Sequence, residues 1–115
     1  MRHHKERIVF RFTDLSLATA ERLQAIHPSA RLQPQRRGPP DRYVVAFDLD
    51  ATGDYDWIAN VIRENHLAES QYGLFVSLVS ESERDTIVVP EFARAVLRKV
   101  GGVVDFSFTF IATDD

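Results

Sequence analysis

The chain of 115 residues has no cysteine and only five glycines, five prolines and one methionine. The absence of cysteine excludes a disulfide framework, a thiolate zinc site and a cysteine nucleophile. The remaining composition, 44% hydrophobic and 27% charged, is that of an ordinary globular protein. A chain of this length buries enough surface to form its own core. We therefore expect a single domain over residues 1–115.

Long apolar runs are missing as well. No stretch approaches the roughly 18 consecutive apolar residues that a membrane-spanning helix needs. The opening residues, MRHHKER, are mostly charged and lead directly into a strand pattern, without the apolar segment of a secretory signal. We expect residues 1–6 to form a flexible tail, and the protein to be soluble, cytoplasmic and independent of membranes.

Charge is distributed unevenly along the chain. Up to Arg42 there are nine Lys and Arg against four Asp and Glu, whereas from Tyr43 onward there are five against thirteen. Such an asymmetry indicates partners that carry the opposite charge. The two halves can also neutralise each other once the domain folds, and the sequence leaves both possibilities open.

Apolar and polar side chains alternate in four stretches, and this period of two predicts β-strands. The predicted strands are residues 7–13, 43–49, 74–80 and 103–111. Apolar residues at helical spacing predict three helices between them. Ser16 caps the first helix and Pro28 stops it, whereas Asp54 caps the second. The third opens at Pro90 and ends at Gly101.

The order β-α-β-α-β-α-β with alternating strands predicts an α+β sandwich, with helices on one face of the sheet. The simplest topology is ferredoxin-like: a four-stranded, mainly antiparallel sheet, with an extra helix over residues 54–67 between the middle strands. A doubly wound parallel sheet is the second possibility, but a Gly-rich phosphate turn is missing. Residues 28–42 are predicted as a long, basic, proline-rich loop.

Three segments carry a resemblance to a known family. They are YGLFVSL at residues 72–78, VVPEFA at residues 88–93 and VGGVVDFSF at residues 100–108. The chain resembles domain-of-unknown-function family 4279. The shared features are a Gly-led strand, a helix opened by Pro-Glu and a final strand of the type Gly-x-hydrophobic-Asp-hydrophobic. That bacterial family has no established activity. Its similarity to small acidic proteins found beside bacterial toxins implies an immunity role.

Carboxylates are concentrated in two segments, one at the end of the second predicted strand and one after the third. Residues 48–56 have the oxygen donors of a calcium loop, but Ala59 stands where a bidentate glutamate is required, so no metal site is predicted. Acidic groups speed association with a basic protein through long-range attraction. The predicted partner-binding residues are Asp48, Asp50, Asp54, Asp56, Glu81, Glu83 and Asp85.

Four arginines lie within the proline-rich segment. Guanidinium groups bind phosphates and carboxylates in a bidentate manner. The predicted anion-binding residues are Arg31, Arg36, Arg37 and Arg42. Nucleic acid is not the expected partner, because the sequence pI is about 5.8 and few aromatic residues lie on the exposed sheet face.

Catalytic motifs are missing from the sequence. His27 and His66 are isolated, and no Gly-x-Ser-x-Gly nucleophile elbow occurs. The sequence therefore predicts neither an enzyme nor a cofactor. The expected function is non-catalytic protein binding, in its concrete form an immunity protein that occludes the active site of a bacterial toxin.

The alternative function is a small-ligand or regulatory module that uses the open face of the sheet. Its predicted residues are Arg11, Asp48, Ser77, Asp105, Ser107 and Thr109. The same face also offers apolar side chains that a second copy of the chain could cover, which would make a homodimer. These are Val9, Val44, Phe75 and Val79.

Overall fold

The computed structural model describes residues 4–81 and 87–111. Within these two ranges the chain forms five strands and three helices, and a single 3₁₀ turn, Glu69–Gln71, precedes the fourth strand. In chain order the elements are β1 (His4–Leu15), α1 (Leu17–Ile26), β2 (Arg31–Pro34), β3 (Tyr43–Asp48), α2 (Trp57–Glu64), β4 (Tyr72–Ser80), α3 (Glu91–Val100) and β5 (Val103–Phe110).

The strands form one mixed sheet in the order β2-β3-β1-β4-β5. β1 lies antiparallel to both β3 and β4, and β2 lies antiparallel to β3. β4 and β5 are parallel, because α3 carries the chain back between them. The α+β class is confirmed. The ferredoxin-like four-stranded pattern is wrong, because the sheet has a fifth strand and its β4–β5 pair is parallel.

Two segments predicted to lack regular structure contribute to the sheet. β1 begins at His4, so the tail predicted over residues 1–6 enters a strand. Within the loop predicted over residues 28–42, β2 pairs with β3 from Arg31 opposite Ala46 to Pro34 opposite Tyr43. Proline is tolerated there because β2 lies at the edge of the sheet.

All three helices pack on the same face of the sheet. Phe10 and Phe12 of β1 and Phe47 of β3 are fully buried on that face. Their rings lie 5.2 to 6.4 Å from one another, centroid to centroid. Ala20 and Leu23 of α1, Ile58 and Val61 of α2, and Ala93 and Val96 of α3 complete the core.

The predicted helix ends at Ser16 and Gly101 are confirmed. The hydroxyl of Ser16 accepts a hydrogen bond from Thr19 N at 3.2 Å, and Gly101 ends α3 with a φ of 72°. The predicted cap of α2 at Asp54 is wrong, because the helix begins after Asp56. Asp54 Oδ1 instead accepts from Asp56 N at 3.0 Å and tightens the turn that precedes the helix.

The helices do not cover the whole of the sheet face on which they pack, and β5 at the edge of that face stays exposed. By register, Val104 lies beside Leu74 and Phe106 beside Val76, so the even-numbered residues of β5 share the face of the core. Phe106, Phe108 and Phe110 are nevertheless 58%, 43% and 44% exposed. An apolar stripe therefore runs along the outer strand. None of the helices in the described ranges is long and apolar enough to cross a membrane.

Candidate protein-binding site

The acidic loop between β3 and α2 is held by its own hydrogen bonds. Asp50 Oδ1 accepts from Thr52 N at 2.9 Å and from Thr52 Oγ1 at 2.8 Å. The hydroxyl hydrogen bond is the main reason that the pKa of Asp50 lies below its ordinary value. Tyr55 lies over the loop, and its hydroxyl accepts from Asp50 N at 2.8 Å. Partial burial raises the pKa of Tyr55.

An ion pair attaches this loop to α3. Lys99 Nζ lies 2.6 Å from Asp56 Oδ1, and both side chains are largely exposed. Lys99 stands in the last turn of α3, where a cation also interacts favourably with the helix dipole. The contact places Asp54 and Asp56 beside the apolar surface of α3.

A cleft of about 270 Å³ separates the loop from α3. Phe92, Val96 and Val100 supply apolar lining from the helix, while Asp54 and Asp56 supply carboxylates from the loop. A concave apolar site with a few polar groups at its rim suits an anchoring side chain from another molecule. In this cleft two of the predicted partner-binding residues, Asp54 and Asp56, lie beside an apolar surface.

Asp48 is not part of that cleft. Its neighbour Phe47 points into the core, so the alternation of the strand turns Asp48 to the open face of the sheet. There Asp48 Oδ1 lies 3.0 Å from Arg7 Nε and 3.5 Å from Arg31 Nη2. The carboxylate is thereby neutralised by two guanidinium groups of the same chain.

Of the second predicted acidic segment, the structure describes Glu81 alone among the predicted residues. Glu81 follows the end of β4 and interacts with other residues. Glu83 and Asp85 lie outside the described residues. Among the predicted carboxylates that the structure describes, Asp54 and Asp56 line the cleft, whereas Asp48 lies on the open face of the sheet.

Of the four predicted anion-binding arginines, two form ion pairs within the fold and two are exposed. Arg31 pairs with Asp48, and Arg42 Nε lies 3.5 Å from Asp14 Oδ1. Arg36 and Arg37 are exposed in the segment between β2 and β3. Half of this set is therefore neutralised by carboxylates within the fold, as one of the two interpretations of the charge asymmetry anticipates.

On the open face of the sheet the charged groups also pair with each other. Arg11 Nη2 lies 3.0 Å from Asp105 Oδ2, and the guanidinium carbon lies 4.5 Å from the centre of the Phe75 ring. A shallow cavity of about 80 Å³ adjoins this pair. Val9, one of the side chains expected to meet a second copy, is only 6% exposed.

Sequence reasoning missed two parts of the site. Nothing in the sequence indicated that Lys99, in the last turn of α3, meets Asp56. Nor did it indicate that Phe92 and Val96 line a cleft, although Val96 also contributes to the core. Across residues 4–81 and 87–111, no three His, Asp or Glu side chains are grouped as metal ligands would be.

No family model matches the chain, and no curated protein or solved structure matches it either. The resemblance to domain-of-unknown-function family 4279 stays a prediction from its motifs.

Proposed function

We propose that this chain is a non-catalytic protein-binding domain, and that its partner inserts a side chain into the cleft between residues 53–56 and α3. The observation that carries the proposal is the position of Asp54 and Asp56 at an apolar cleft of about 270 Å³. A cleft of this size admits one large side chain, and buried anchors of this kind dominate the energetics of protein interfaces.

The chemistry of the cleft favours a basic partner with an apolar anchor. The stem of a lysine or arginine packs against apolar surface while its charged end stays at the rim. Phe92 and Val96 would contact that stem, and Asp54 would meet the charge. Because the chain carries a net charge of −3, long-range attraction would also speed the encounter with such a partner.

The concrete form of the proposal is an immunity protein of the bacterial cytoplasm, which neutralises a toxin by covering its active site. This form rests on the family resemblance. A tagged copy of the chain, used to isolate binding proteins from its native lysate and co-expressed with the product of the adjacent upstream gene, tests it. A stoichiometric complex that removes the neighbour's toxicity is the expected result.

Two pairs of variants test the surface once a partner is in hand. Ala95 lines the cleft from an exposed position of α3, so Ala95→Trp fills the cleft without entering the core. Ala25→Trp, at an exposed position of α1, is the matched control. We expect Ala95→Trp to weaken the complex at least tenfold, and Ala25→Trp to leave it unchanged.

Charge reversal tests the electrostatic attraction of the partner independently of the packing in the cleft. Asp54→Lys should slow association and flatten its dependence on salt, whereas Glu21→Lys on α1 makes the same charge change away from the cleft. If neither Asp54→Lys nor Ala95→Trp changed the binding kinetics of a genuine partner, the cleft would not be its binding site.

The small-ligand module on the open face predicts a different outcome. In that case no protein partner is recovered, and a bound anion or small molecule perturbs the amide resonances of Arg11, Ser77 and Ser107. The internal pairing of Arg11 with Asp105 and of Arg7 with Asp48 makes this the second candidate, because a ligand would first have to displace those pairs.

A further inference from the structure

The two edges of the sheet are built differently. β2 is four residues long and contains Arg31 and Pro34, which are features that protect an edge from pairing with another strand. β5 is eight residues long, contains neither lysine nor proline, and follows β4 without a bulge from Val103 to Phe110. In the described part of the chain, no strand pairs with the outer side of β5. β5 is therefore an unprotected edge.

The backbone groups that β5 turns outward can be assigned. Ile111 N donates to Ser80 O on β4 at 2.9 Å, so the odd-numbered residues direct their N–H and C=O groups to the inner neighbour. Since this direction alternates along a strand, the even-numbered residues present theirs at the outer edge. These are Val104, Phe106, Phe108 and Phe110, of which the three phenylalanines form the exposed apolar stripe.

We propose that a second copy of this chain pairs with β5 in antiparallel fashion, about a two-fold axis at Ser107, and joins the two sheets into one. In this register Phe106 of one copy lies opposite Phe108 of the other, and Val104 lies opposite Phe110. All four are the residues with outward hydrogen-bonding groups, so each pair exchanges both of its backbone bonds. Aromatic cross-strand pairs add to the stability of such a contact.

The charges on β5 favour the same register. Asp105, the one charged residue of the strand, lies opposite Thr109 of the second copy. A two-fold axis at Asp105 would instead place the two carboxylates directly opposite each other, which is destabilising. A shift by a single residue would set the phenylalanines of the two copies on opposite faces of the joined sheet. The contact is isologous and closes at two copies.

This interface differs from the site of the proposed function, because none of the residues that line the cleft belongs to β5. The surface is also not the one that the sequence predicted for a second copy, where Val9 is buried.

Sedimentation equilibrium of the full chain tests the oligomeric state. We expect a dimer, and we expect the double variant Phe106→Lys and Phe108→Lys to raise its dissociation constant at least a hundredfold. Both residues are exposed in the single chain, so the substitutions leave the core intact. Leu17→Lys, 44% exposed on α1, makes the same kind of change elsewhere and should leave the dimer unaffected. A wild-type chain that stays monomeric at millimolar concentration would overturn the proposal.

Cross-linking tests the register and does not depend on the stability of the lysine variant. The chain has no cysteine, so single cysteines report one contact each. At the axis the Cα atoms of residue 107 in the two copies would lie about 4.5 Å apart, so Ser107→Cys should form an intermolecular disulfide in mild oxidant. The two copies of residue 109 would lie about 14 Å apart along the strands, so Thr109→Cys should stay reduced. Equal cross-linking of both variants, or of neither, would contradict the register.

Discussion

Arg11 on β1 reaches across β4 to Asp105 on β5, with 3.0 Å between Nη2 and Oδ2. The residue of β4 that lies opposite Arg11 is Gly73, which offers no side chain in the path. Two residues further along β4, the ring of Phe75 lies beneath the guanidinium group. Three strands are thus connected by one side chain on the open face of the sheet.

A double-mutant cycle measures what this ion pair contributes. Because both groups are partly exposed, we expect a coupling energy between Arg11→Gln and Asp105→Asn of about 0.5 kcal/mol. Urea unfolding of the four chains gives the value. A coupling of several kcal/mol would show that the pair is desolvated, and the small-ligand interpretation of this face would then lose its accessible charges.

Gly73→Ala should be strongly destabilising. A Cβ atom at this position would lie 1.8 Å from the backbone oxygen of Val103, so β4 and β5 would have to separate. We expect a loss of about 3 kcal/mol in the free energy of unfolding. Gly53→Ala is the comparison, because the nearest atoms there belong to the side chain of Tyr55, which can rotate away. A similar cost in both variants would mean that the close approach of β4 and β5 does not explain the loss, because the backbone-entropy effect of Gly→Ala by itself is stabilising.

The hydrogen bonds from Thr52 to Asp50 predict a pH effect. The pKa of Asp50 in the folded chain is lowered from its ordinary value of 3.8, mainly by the Thr52 hydroxyl. A carboxyl group with a lowered folded pKa stabilises the fold above its unfolded pKa, and this contribution is lost as the pH falls through the folded pKa. Thr52→Val should therefore raise the pKa of Asp50, as followed by the NMR shift of its carboxyl carbon. The stability difference between the two chains should be larger at pH 7 than at pH 2.

Two leucines of α1 allow the contribution of side-chain burial to stability to be measured apart from that of helix propensity. Leu23 is 1% exposed and belongs to the core, whereas Leu17 on the same helix is 44% exposed. We expect Leu23→Ala to reduce the free energy of unfolding by about 3 kcal/mol, and Leu17→Ala by less than about 0.5 kcal/mol. Equal losses in urea unfolding would contradict the placement of α1 against the sheet.

Features determined by neighbouring residues were predictable. The hydroxyl of Ser16 and the left-handed backbone at Gly101 act within one helical turn, so the local sequence was sufficient to place them. The alternation of β3 likewise gave the correct inward face, with Val45 and Phe47 buried.

Features that depend on a distant partner were not predictable. β2 contains a proline and has only four residues, too few for a periodic signal, and it forms because β3 offers an edge to pair with. In the cleft, Asp54 and Asp56 are close in sequence, but Lys99 comes from a helix 43 residues away from Asp56. Asp48 was grouped with them on the basis of sequence distance, although its strand turns it to the opposite face.

Phe10 and Phe106 show that the sequence alone does not determine whether an inward-facing side chain is covered. Each stands in a strand where aromatic and polar residues alternate, and that alternation by itself determined which side chains share a face. Phe10 is fully buried and Phe106 is 58% exposed, although both face the helix side of the sheet. β1 lies in the middle of the sheet beneath the helices, and β5 lies at its edge. The order of the strands decides what covers each face, and that order is set by long-range pairing, which only the tertiary structure contains.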